Sequence, residues 1–284
     1  MDGLSIGLIG PLPPPSGGMA NQTLQLAGLL GTAGADVRLV QVTAPYRPAW
    51  AGRLPGVRAL FRFCPDVWQL WGTAGKVRLF HIMANSGWSW HLFAAPAIWI
   101  GWFRGVRVIV NYRGGEAEEF FSRSFRWIRP SLNKVTTVIV PSGFLADIFK
   151  RRDVATRIVP NIVNLDRFIA TGRHVQARED SGPQLLVTRN LELLYDIDTA
   201  LRVLQQVRKS FPKANMTICG SGPERDRLVA LAQMLEIDSA VIFTGRLDNE
   251  QIARLYQSAD VMVNPSLADN MPNSVLEALS LIHI

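Results

Sequence analysis

Two carboxylates stand eight residues apart close to the end of the chain, in the stretch DNMPNSVLEA. Asp269 precedes Pro272, and Glu277 follows it. Proline is favoured at the first position of a helix, so we expect a helix to begin at Pro272, with Asn270 or Met271 as its cap. Asp269 then stays in a loop while Glu277 lies in the second helical turn, and both carboxylates can face one crevice. Such a pair could accept hydrogen bonds from hydroxyl groups of a ligand.

The same stretch allows a purely structural interpretation. The spacing from Ser274 to Glu277 fits a capping box, in which the two side chains bond to backbone amides at a helix start. Two acids at this spacing are also common in proteins, so the pattern alone does not decide between the two roles.

Two arginines directly follow or end apolar runs. Arg189 comes after QLLVT, and Arg113 stands in NYRGGEAEEF, three residues before Glu116. A guanidinium group binds phosphate or carboxylate through two parallel hydrogen bonds. Because ligands of parallel sheets bind where the strands end, Arg189 is a natural clamp for a diphosphate. A surface salt bridge remains the alternative for Arg113, and a surface position at a helix start remains the alternative for Arg189.

Glycines mark two further loops. Gly17 and Gly18 follow the first apolar run and open a helical pattern, where backbone amides can approach a phosphate closely. No Lys-Ser/Thr pair follows, so this is not a Walker loop. Gly220 and Gly222 in ICGSGPERDRL lack the third glycine and the later acid of a dinucleotide fingerprint, although a nucleotide could dock against them. In each loop the glycines could instead be needed only for the backbone geometry of the turn.

Short apolar runs alternate with amphipathic stretches along the whole chain, a pattern typical of parallel α/β sheets. One such series ends before the polar stretch 171–183, and a second begins at QLLVT. We therefore predict an α/β protein of two Rossmann-like parallel-sheet domains facing a cleft. The expected boundaries are an N-terminal domain at 1–172, a linker at 173–183 and a C-terminal domain at 184–284.

Charge and aromatic content differ between the halves. Residues 1–175 carry a net charge of +11 and residues 176–284 one of −4, and all eight tryptophans lie between Trp50 and Trp127. A basic half suits nucleic acid, an anionic membrane surface or phosphorylated ligands. No zinc spacing, helix-turn-helix or RNA-binding motif accompanies it, so nucleic acid is not expected as a partner. Cys64 and Cys219 are far apart, and we expect reduced thiols and no metal site.

The stretch from Trp88 to Phe103, WSWHLFAAPAIWIGWF, is the most hydrophobic part of the chain. It is shorter than the roughly 18–20 apolar residues that a spanning helix needs. A buried crossover helix and an interfacial membrane contact both remain open, since cationic residues flank this aromatic region. These residues are Arg47, Arg53, Arg58, Arg62, Lys76, Arg78, Arg104 and Arg107.

Taken in order, these segments resemble the retaining glycosyltransferases of family 4, which have the GT-B fold. The resemblance extends from the glycine loop to Ala278 and includes VPSGFLADIF, VPNIVNLDRF, CGSGPERDRL and FTGRLDNEQIARLYQSADVMVNPS. It implies transfer of a sugar from a nucleotide-diphosphate sugar to a glycan or lipid-linked acceptor. It also implies that the sugar keeps its anomeric configuration and that neither a cofactor nor a metal is required.

Roles for individual residues follow from the resemblance. Arg189 would neutralise the diphosphate leaving group, Glu277 would bind the ribose and Asp269 would contact the donor sugar. The remaining donor-binding positions would be Gly17, Gly18, Gly220, Gly222, Asn270, Met271, Pro272 and Asn273. Arg113 and Glu116 would lie on the acceptor side, in the basic first domain.

The chain departs from the family pattern at several of these positions. Asp269 stands where a glutamate is usual, and Arg113 where many members carry a histidine. The lysine that normally follows the clamp arginine is replaced near Tyr195, which we expect to leave Arg189 with fewer partners. Ile162 stands where glycine is typical. The acidic and basic character survives, which favours a subfamily pattern.

We therefore expect a cytoplasmic glycosyltransferase, held at the inner face of the plasma membrane. A sugar-nucleotide epimerase on the same fold and a nucleotide-binding pseudoenzyme or scaffold are the alternatives. Family members continue past Ala278, and LSLIHI matches one reading frame of a transposon end used in sequencing libraries. We expect residues 279–284 to be non-native, the second domain to be incomplete and the chain as printed to be inactive.

Overall fold

The computed structural model describes residues 3–13, 17–42, 58–163 and 182–280, with the side chains of 58–64 excepted. The chain divides into two compact units, 1–162 and 163–284, which are called unit 1 and unit 2 below. Of the linker predicted at 173–183, only residues 182 and 183 are described. The predicted boundaries therefore stay a prediction.

Unit 1 contains a six-stranded parallel sheet. Its strands are β1 (Ser5–Gly10), β2 (Asp36–Gln41), β3 (Leu79–Ala84), β4 (Arg107–Tyr112), β5 (Thr137–Val140) and β6 (Thr156–Ile158). They lie in the order β2-β1-β3-β4-β5-β6, and every neighbouring pair is parallel. From β1 the chain runs to β2 at the edge of the sheet. It then crosses back over β1 and forms β3 on the other side of β1. This reversal places a topological switch point between the carboxyl ends of β1 and β3.

Helices connect these strands. They are α1 (Gly18–Thr32), α2 (Arg58–Ala74), α3 (Ala95–Phe103), α4 (Ala117–Leu132) and α5 (Gly143–Lys150). Since crossovers between parallel strands are right-handed, α1 lies on one face of the sheet and α2 to α5 lie on the other. Contacts between α2 and α3, α3 and α4, and α4 and α5 agree with this layer.

The apolar stretch from Trp88 to Phe103 lies in the crossover between β3 and β4, and the membrane contact that was left open for it stays a prediction. It forms a π-helical turn, Trp90–Ala94, that continues directly into α3. Trp90 and Ile98 are fully buried, whereas Trp88 and Phe103 are exposed. The segment is thus a crossover helix with one apolar side in the core and an aromatic side in solvent.

Unit 2 contains a four-stranded parallel sheet. Its strands are β7 (Gln184–Thr188), β8 (Asn215–Cys219), β9 (Val241–Gly245) and β10 (Val261–Met262), in the order β10-β7-β8-β9. Its helices are α6 (Ile197–Ser210), α7 (Arg225–Met234), α8 (Asn249–Ser258) and α9 (Asn273–Leu279). Because β10 joins the sheet beside β7, the switch point of unit 2 lies between the carboxyl ends of these two strands.

Each unit has its own core, as the alternating pattern of the sequence requires. In unit 1, Phe80 and Val110 of the sheet pack with Trp90 and Ile98. In unit 2, Val187 and Ile218 of the sheet pack with Leu201 and Leu204 of α6. The prediction of two Rossmann-like parallel-sheet units is confirmed, and the incompleteness of the second stays a prediction.

Candidate functional site

Arg189 stands at the switch point of unit 2. It is the first residue after β7, and its backbone N–H donates to the carbonyl of Cys219 at the end of β8 (3.0 Å). Its side chain is only 12% exposed. Its Nε donates to Oδ1 of Asn264 (2.9 Å), which follows β10. The guanidinium group is therefore fixed between the carboxyl ends of the two strands that flank the switch point.

Asp269 is the ionic partner of Arg189. One of its carboxylate oxygens accepts from Nη2 of Arg189, and its side chain is 23% exposed. The second partner, Asn264, also accepts from the hydroxyl of Ser266 (2.8 Å), which fixes the orientation of its amide. The structure thus brings together two residues that the sequence singled out separately.

Tyr195 supplies a third contact to the arginine. Cζ of Arg189 lies 5.1 Å from the centroid of the Tyr195 ring, within the range of a cation–π interaction. Tyr195 is thus itself a partner of Arg189, and the expectation of fewer partners than in the family pattern stays a prediction. An aromatic face, a carboxylate and an amide surround the guanidinium group.

The helix that carries Glu277 begins one residue later than predicted. Pro272 is its N-cap, with extended backbone, and its carbonyl accepts from the amides of Val275 and Leu276 (3.2 Å each). The expectation that Pro272 is the first helical residue, capped by Asn270 or Met271, is therefore wrong.

The capping-box alternative for this helix is also wrong. Ser274 is the second helical residue and is buried, so it does not cap the helix. Asn273 is the first helical residue, and Glu277 lies in the second turn as predicted. Burial raises the pKa of Tyr256, and the nearby carboxylate of Glu277 adds to this rise, so the two side chains are electrostatic neighbours.

Close packing leaves no room for a side chain at Gly220 and Gly222. A Cβ atom on Gly220 would lie 1.9 Å from the carbonyl oxygen of Arg189, and one on Gly222 would lie 2.2 Å from that of Leu191. The amide of Leu191 donates to the carbonyl of Ser221 (3.2 Å) across the same contact. These glycines let the loop after β8 pack against the loop that carries the clamp arginine.

Gly17 and Gly18 lie in a different environment. Gly17 is the N-cap of α1, with extended backbone and no side-chain cap, and Gly18 is the first helical residue. A Cβ atom on Gly17 would meet nothing within 4 Å. No packing within the described chain therefore requires glycine at position 17.

Arg113 lies in a polar network at the carboxyl end of β4. Its Nε donates to Oδ1 of Asn111 (3.0 Å), and its Nη1 donates to the side chains of Asn161 and Gln22. Burial lowers the pKa of Arg113 to about 10. Gln22 also makes two hydrogen bonds with the backbone of Ile162, at 2.7 and 2.8 Å. The network thus ties α1 to β4 and to the segment after β6.

Glu116 is separate from this network. It is the N-cap residue of α4, its side chain caps nothing, and it is exposed. The loop between it and Arg113 is fixed by Gly114, where a Cβ atom would lie 2.1 Å from Oγ of Ser86. The two acceptor-side candidates share one loop, but no described contact joins their side chains.

The network also fixes the protonation state of a buried histidine. Because Asn111 accepts from Arg113 through Oδ1, its Nδ2 faces Nε2 of His81 at 3.1 Å and donates to it. Burial and the nearby charge of Arg113 lower the pKa of His81 to about 4. His81 is therefore neutral at physiological pH and carries its proton on Nδ1.

This histidine makes stability depend on pH. Its pKa in the folded state lies below the ordinary value of 6.5, so the unfolded chain takes up a proton first as the pH falls. We expect unfolding to become easier by about 2 kcal/mol between pH 7 and pH 5 through this residue. Chemical denaturation of wild type and His81→Gln at both pH values measures this change in the free energy of unfolding. The variant should lack this part of the pH dependence, and an identical pH dependence in both proteins would contradict the assignment.

Comparison with known proteins agrees with this geometry. The sequence model of Glycosyltransferase Family 4 matches residues 16–167, more than half of the chain, and that of Glycosyl transferases group 1 matches residues 170–282. The chain therefore belongs to glycosyltransferase family 4.

A curated relative is alpha-monoglucosyldiacylglycerol synthase of Streptococcus pneumoniae, 27% identical over 164 residues. That match covers 54% of this chain, and the chain spans only 37% of the length of that relative.

Solved structures show the same fold. Sucrose-phosphate synthase from Thermosynechococcus elongatus superposes with a TM-score of 0.73 at 20% identity, covering 98% of this chain and 79% of the other. Anabaena HepE, solved in complex with UDP and glucose, superposes with a TM-score of 0.66 at 15% identity and covers 98% and 78%. The chain thus has the GT-B fold predicted from its sequence.

Sequence reasoning missed several partners of the predicted residues. Asn264 stands in the quoted motif DVMVNPS, directly after the last strand of unit 2, where a polar residue could have been noticed. Tyr256 and Gln22 lie inside amphipathic helical patterns, where nothing in the sequence marks them. Their roles depend on contacts with residues far away in the chain.

Proposed function

We propose that this protein is a retaining glycosyltransferase that transfers a sugar from a nucleotide-diphosphate sugar to a hydroxyl group of an acceptor. The observation that supports this most is the position of Arg189. A partly buried cation, fixed by Asn264, Asp269 and Tyr195 at the switch point of unit 2, suits a ligand with a diphosphate.

The proposed chemistry needs electrostatic stabilisation above all. The bond between the anomeric carbon and the diphosphate oxygen breaks, and the leaving group takes the electron pair. The acceptor hydroxyl forms the new bond on the same face, and its proton passes to the departing diphosphate oxygen. Arg189 stabilises the negative charge that develops there. No metal or cofactor is part of this proposal.

The acids would hold the rest of the donor. Asp269, which pairs with Arg189 in the structure, would contact the donor sugar, and Glu277 would accept hydrogen bonds from the ribose hydroxyls. The loop residues Asn270 and Met271, the N-cap Pro272 and the first helical residue Asn273 lie between the two acids and would border the donor.

The glycines would contribute through their backbones. Gly17 and Gly18 begin α1, whose first amides have no side-chain cap within the described ranges and can donate to a phosphate or to the acceptor. Gly220 and Gly222 would leave room for the nucleotide, in addition to their packing against Arg189 and Leu191.

We propose unit 1 as the acceptor side, with Arg113 and Glu116 as its candidate residues. The relative named as a glucosyldiacylglycerol synthase points to a lipid-linked acceptor, and the structural neighbour named as a sucrose-phosphate synthase points to a small phosphorylated sugar. A glycan or lipid-linked acceptor is the class that we propose.

Proton NMR of a donor sugar incubated with the full-length protein tests the reaction. A transferase releases nucleoside diphosphate and moves the sugar to an added glycan or lipid-linked acceptor, with its anomeric configuration kept. Appearance of an epimerised sugar nucleotide would instead establish the epimerase. Donor binding without any turnover would establish the pseudoenzyme.

We further propose a peripheral membrane contact at the inner face of the plasma membrane, through an aromatic face on α2, α3 and α4. Exposed aromatic side chains form this face: Trp68, Trp71, Trp102, Phe103 and Trp127. Cations lie over the rings of Trp71, Trp102 and Trp127. Arg104 lies 5.0 Å from the ring of Trp71, and Lys134 lies 3.9 Å from that of Trp102. Arginine or lysine beside exposed tryptophan suits an anionic lipid interface.

Two facts bound this proposal. None of the helices within the described ranges is long and apolar enough to cross a membrane. The flanking residues Arg47 and Arg53, and the side chains of Arg58 and Arg62, lie outside what the structure describes.

Vesicle sedimentation tests the contact. We expect wild type to bind phosphatidylcholine vesicles that contain phosphatidylglycerol, and the double variant Trp102→Ala, Phe103→Ala to bind them at least about tenfold more weakly. Trp88→Ala is the matched control, because Trp88 is 78% exposed but follows β3 at the opposite end of the sheet. Equal binding by wild type and the double variant would rule out this face.

A further inference from the structure

Tyr256 lies between the two elements that carry the proposed donor site. It belongs to α8, and it is 6% exposed in a cluster with Leu186, Cys219 and Ala253. A capping box at Asp248 and Gln251 fixes the start of α8. The ring therefore has a fixed position from which its hydroxyl group can act on neighbouring elements.

The hydroxyl group of Tyr256 makes two hydrogen bonds, one to each neighbouring element. It donates to the carbonyl of Ser274 in the first turn of α9, at 2.9 Å. Its oxygen lies 2.6 Å from Oγ1 of Thr188, the last residue of β7. Because the tyrosine proton points to Ser274, the threonine hydroxyl is the donor in the second bond.

Each of these two contacts is close in the chain to a proposed donor residue. Thr188 directly precedes Arg189, and Ser274 lies one helical turn before Glu277. The charges of Glu277 and Arg189 both act on Tyr256, so each of these two side chains lies near the tyrosine. A hydroxyl group thus joins the end of the arginine-bearing strand to the start of the carboxylate-bearing helix.

We propose that Tyr256 is a positioning residue that sets the distance between Arg189 and Glu277 and thereby prepares unit 2 for a nucleoside diphosphate. This inference rests on the proposed function and deepens it. Tyr256 itself touches no ligand in this account. It acts by keeping the diphosphate clamp and the ribose-binding acid in register.

Isothermal titration with UDP, GDP and ADP tests this inference, with the nucleotide that wild type binds most tightly used for all variants. Tyr256→Phe keeps the packed ring but loses both hydrogen bonds, and we expect its dissociation constant to rise about tenfold. Thr188→Val, which loses one bond at the other end, should weaken binding in the same direction. Thr188→Ser keeps the hydroxyl group and should bind like wild type.

A matched control separates positioning from general stability. Gln205→Met loses the side-chain hydrogen bond from α6 to the carbonyl of Leu235 (3.2 Å), away from the switch point of unit 2. We expect it to lower the melting temperature as the other variants do, with an unchanged dissociation constant.

The outcomes that overturn the inference are distinct. If Tyr256→Phe and Thr188→Val bind the nucleotide as tightly as wild type, Tyr256 has no positioning role. If Gln205→Met weakens binding as much as they do, the effect is one of stability alone, and the positioning role fails. If wild type binds none of the three nucleotides, the proposed function fails, and this inference fails with it.

Discussion

Replacing Arg189 by methionine is expected to lower kcat/KM for the donor by about 100-fold to 1000-fold. Loss of one preorganised group that stabilises developing negative charge typically has this effect in enzymes. Arg189 fits that role because its side chain is 12% exposed and is fixed by Asn264, Asp269 and Tyr195. Methionine fills much of the same space without the charge, so the loss should be in turnover and donor affinity rather than in folding.

Arg227→Met is the matched control for this prediction. Arg227 is another arginine of unit 2 that pairs with acids, Asp198 and Glu224, but its side chain is 49% exposed. Exposed ion pairs contribute little to stability and none of these residues is at the switch point, so activity should stay within a factor of about 2. Steady-state kinetics of both variants, compared with wild type, measures kcat/KM for the donor. An Arg189→Met protein with wild-type turnover would contradict the clamp.

Replacing Gly222 by alanine is expected to cost about 3 kcal/mol of unfolding free energy. The added Cβ atom would lie 2.2 Å from the carbonyl oxygen of the fully buried Leu191, and a backbone atom cannot move aside without loss of neighbouring hydrogen bonds. The amide of Glu224 donates to that same carbonyl at 3.1 Å. Denaturant unfolding followed by far-ultraviolet circular dichroism, which reports on the backbone and not on tryptophan, measures the change in unfolding free energy.

Gly17→Ala should show the opposite behaviour. Its backbone is extended, and no atom of the described residues lies within 4 Å of the new Cβ atom, so stability should change by less than about 1 kcal/mol. If Gly17 serves to let a ligand approach the start of α1, donor turnover should fall although the fold is intact. The pair therefore distinguishes a glycine needed for packing from one proposed for binding. Equal stability of the two variants would contradict the packing role of Gly222.

The sequence predicted most of the fold because buried parallel strands form short apolar runs. β7 spans QLLVT, the apolar run at which the second series was predicted to begin, and α1 begins at Gly18, where the glycine loop was expected to open a helical pattern. β6 was missed because it is a three-residue edge strand with mostly exposed side chains. The π-helical turn before α3 has no distinct sequence pattern, since its periodicity differs little from that of an α-helix over five residues.

The sequence predicted only those residues of the candidate site that stand at the ends of strands. Arg189 and Arg113 stand directly after or beside an apolar run, so their location at the edge of a sheet followed from topology. The ion pair between Arg189 and Asp269 joins residues eighty positions apart, and the strand order that creates it is not readable from a local pattern. The start of α9 was misplaced by one residue because an N-cap proline and a first-turn proline give the same local sequence signal.

Donor binding tests the central claim most directly. Isothermal titration of the protein with UDP-, GDP- and ADP-sugars should show saturable binding of at least one of them, and Arg189→Met should weaken that binding at least about tenfold. Absence of binding to every one of these donors by the wild-type protein would contradict the account.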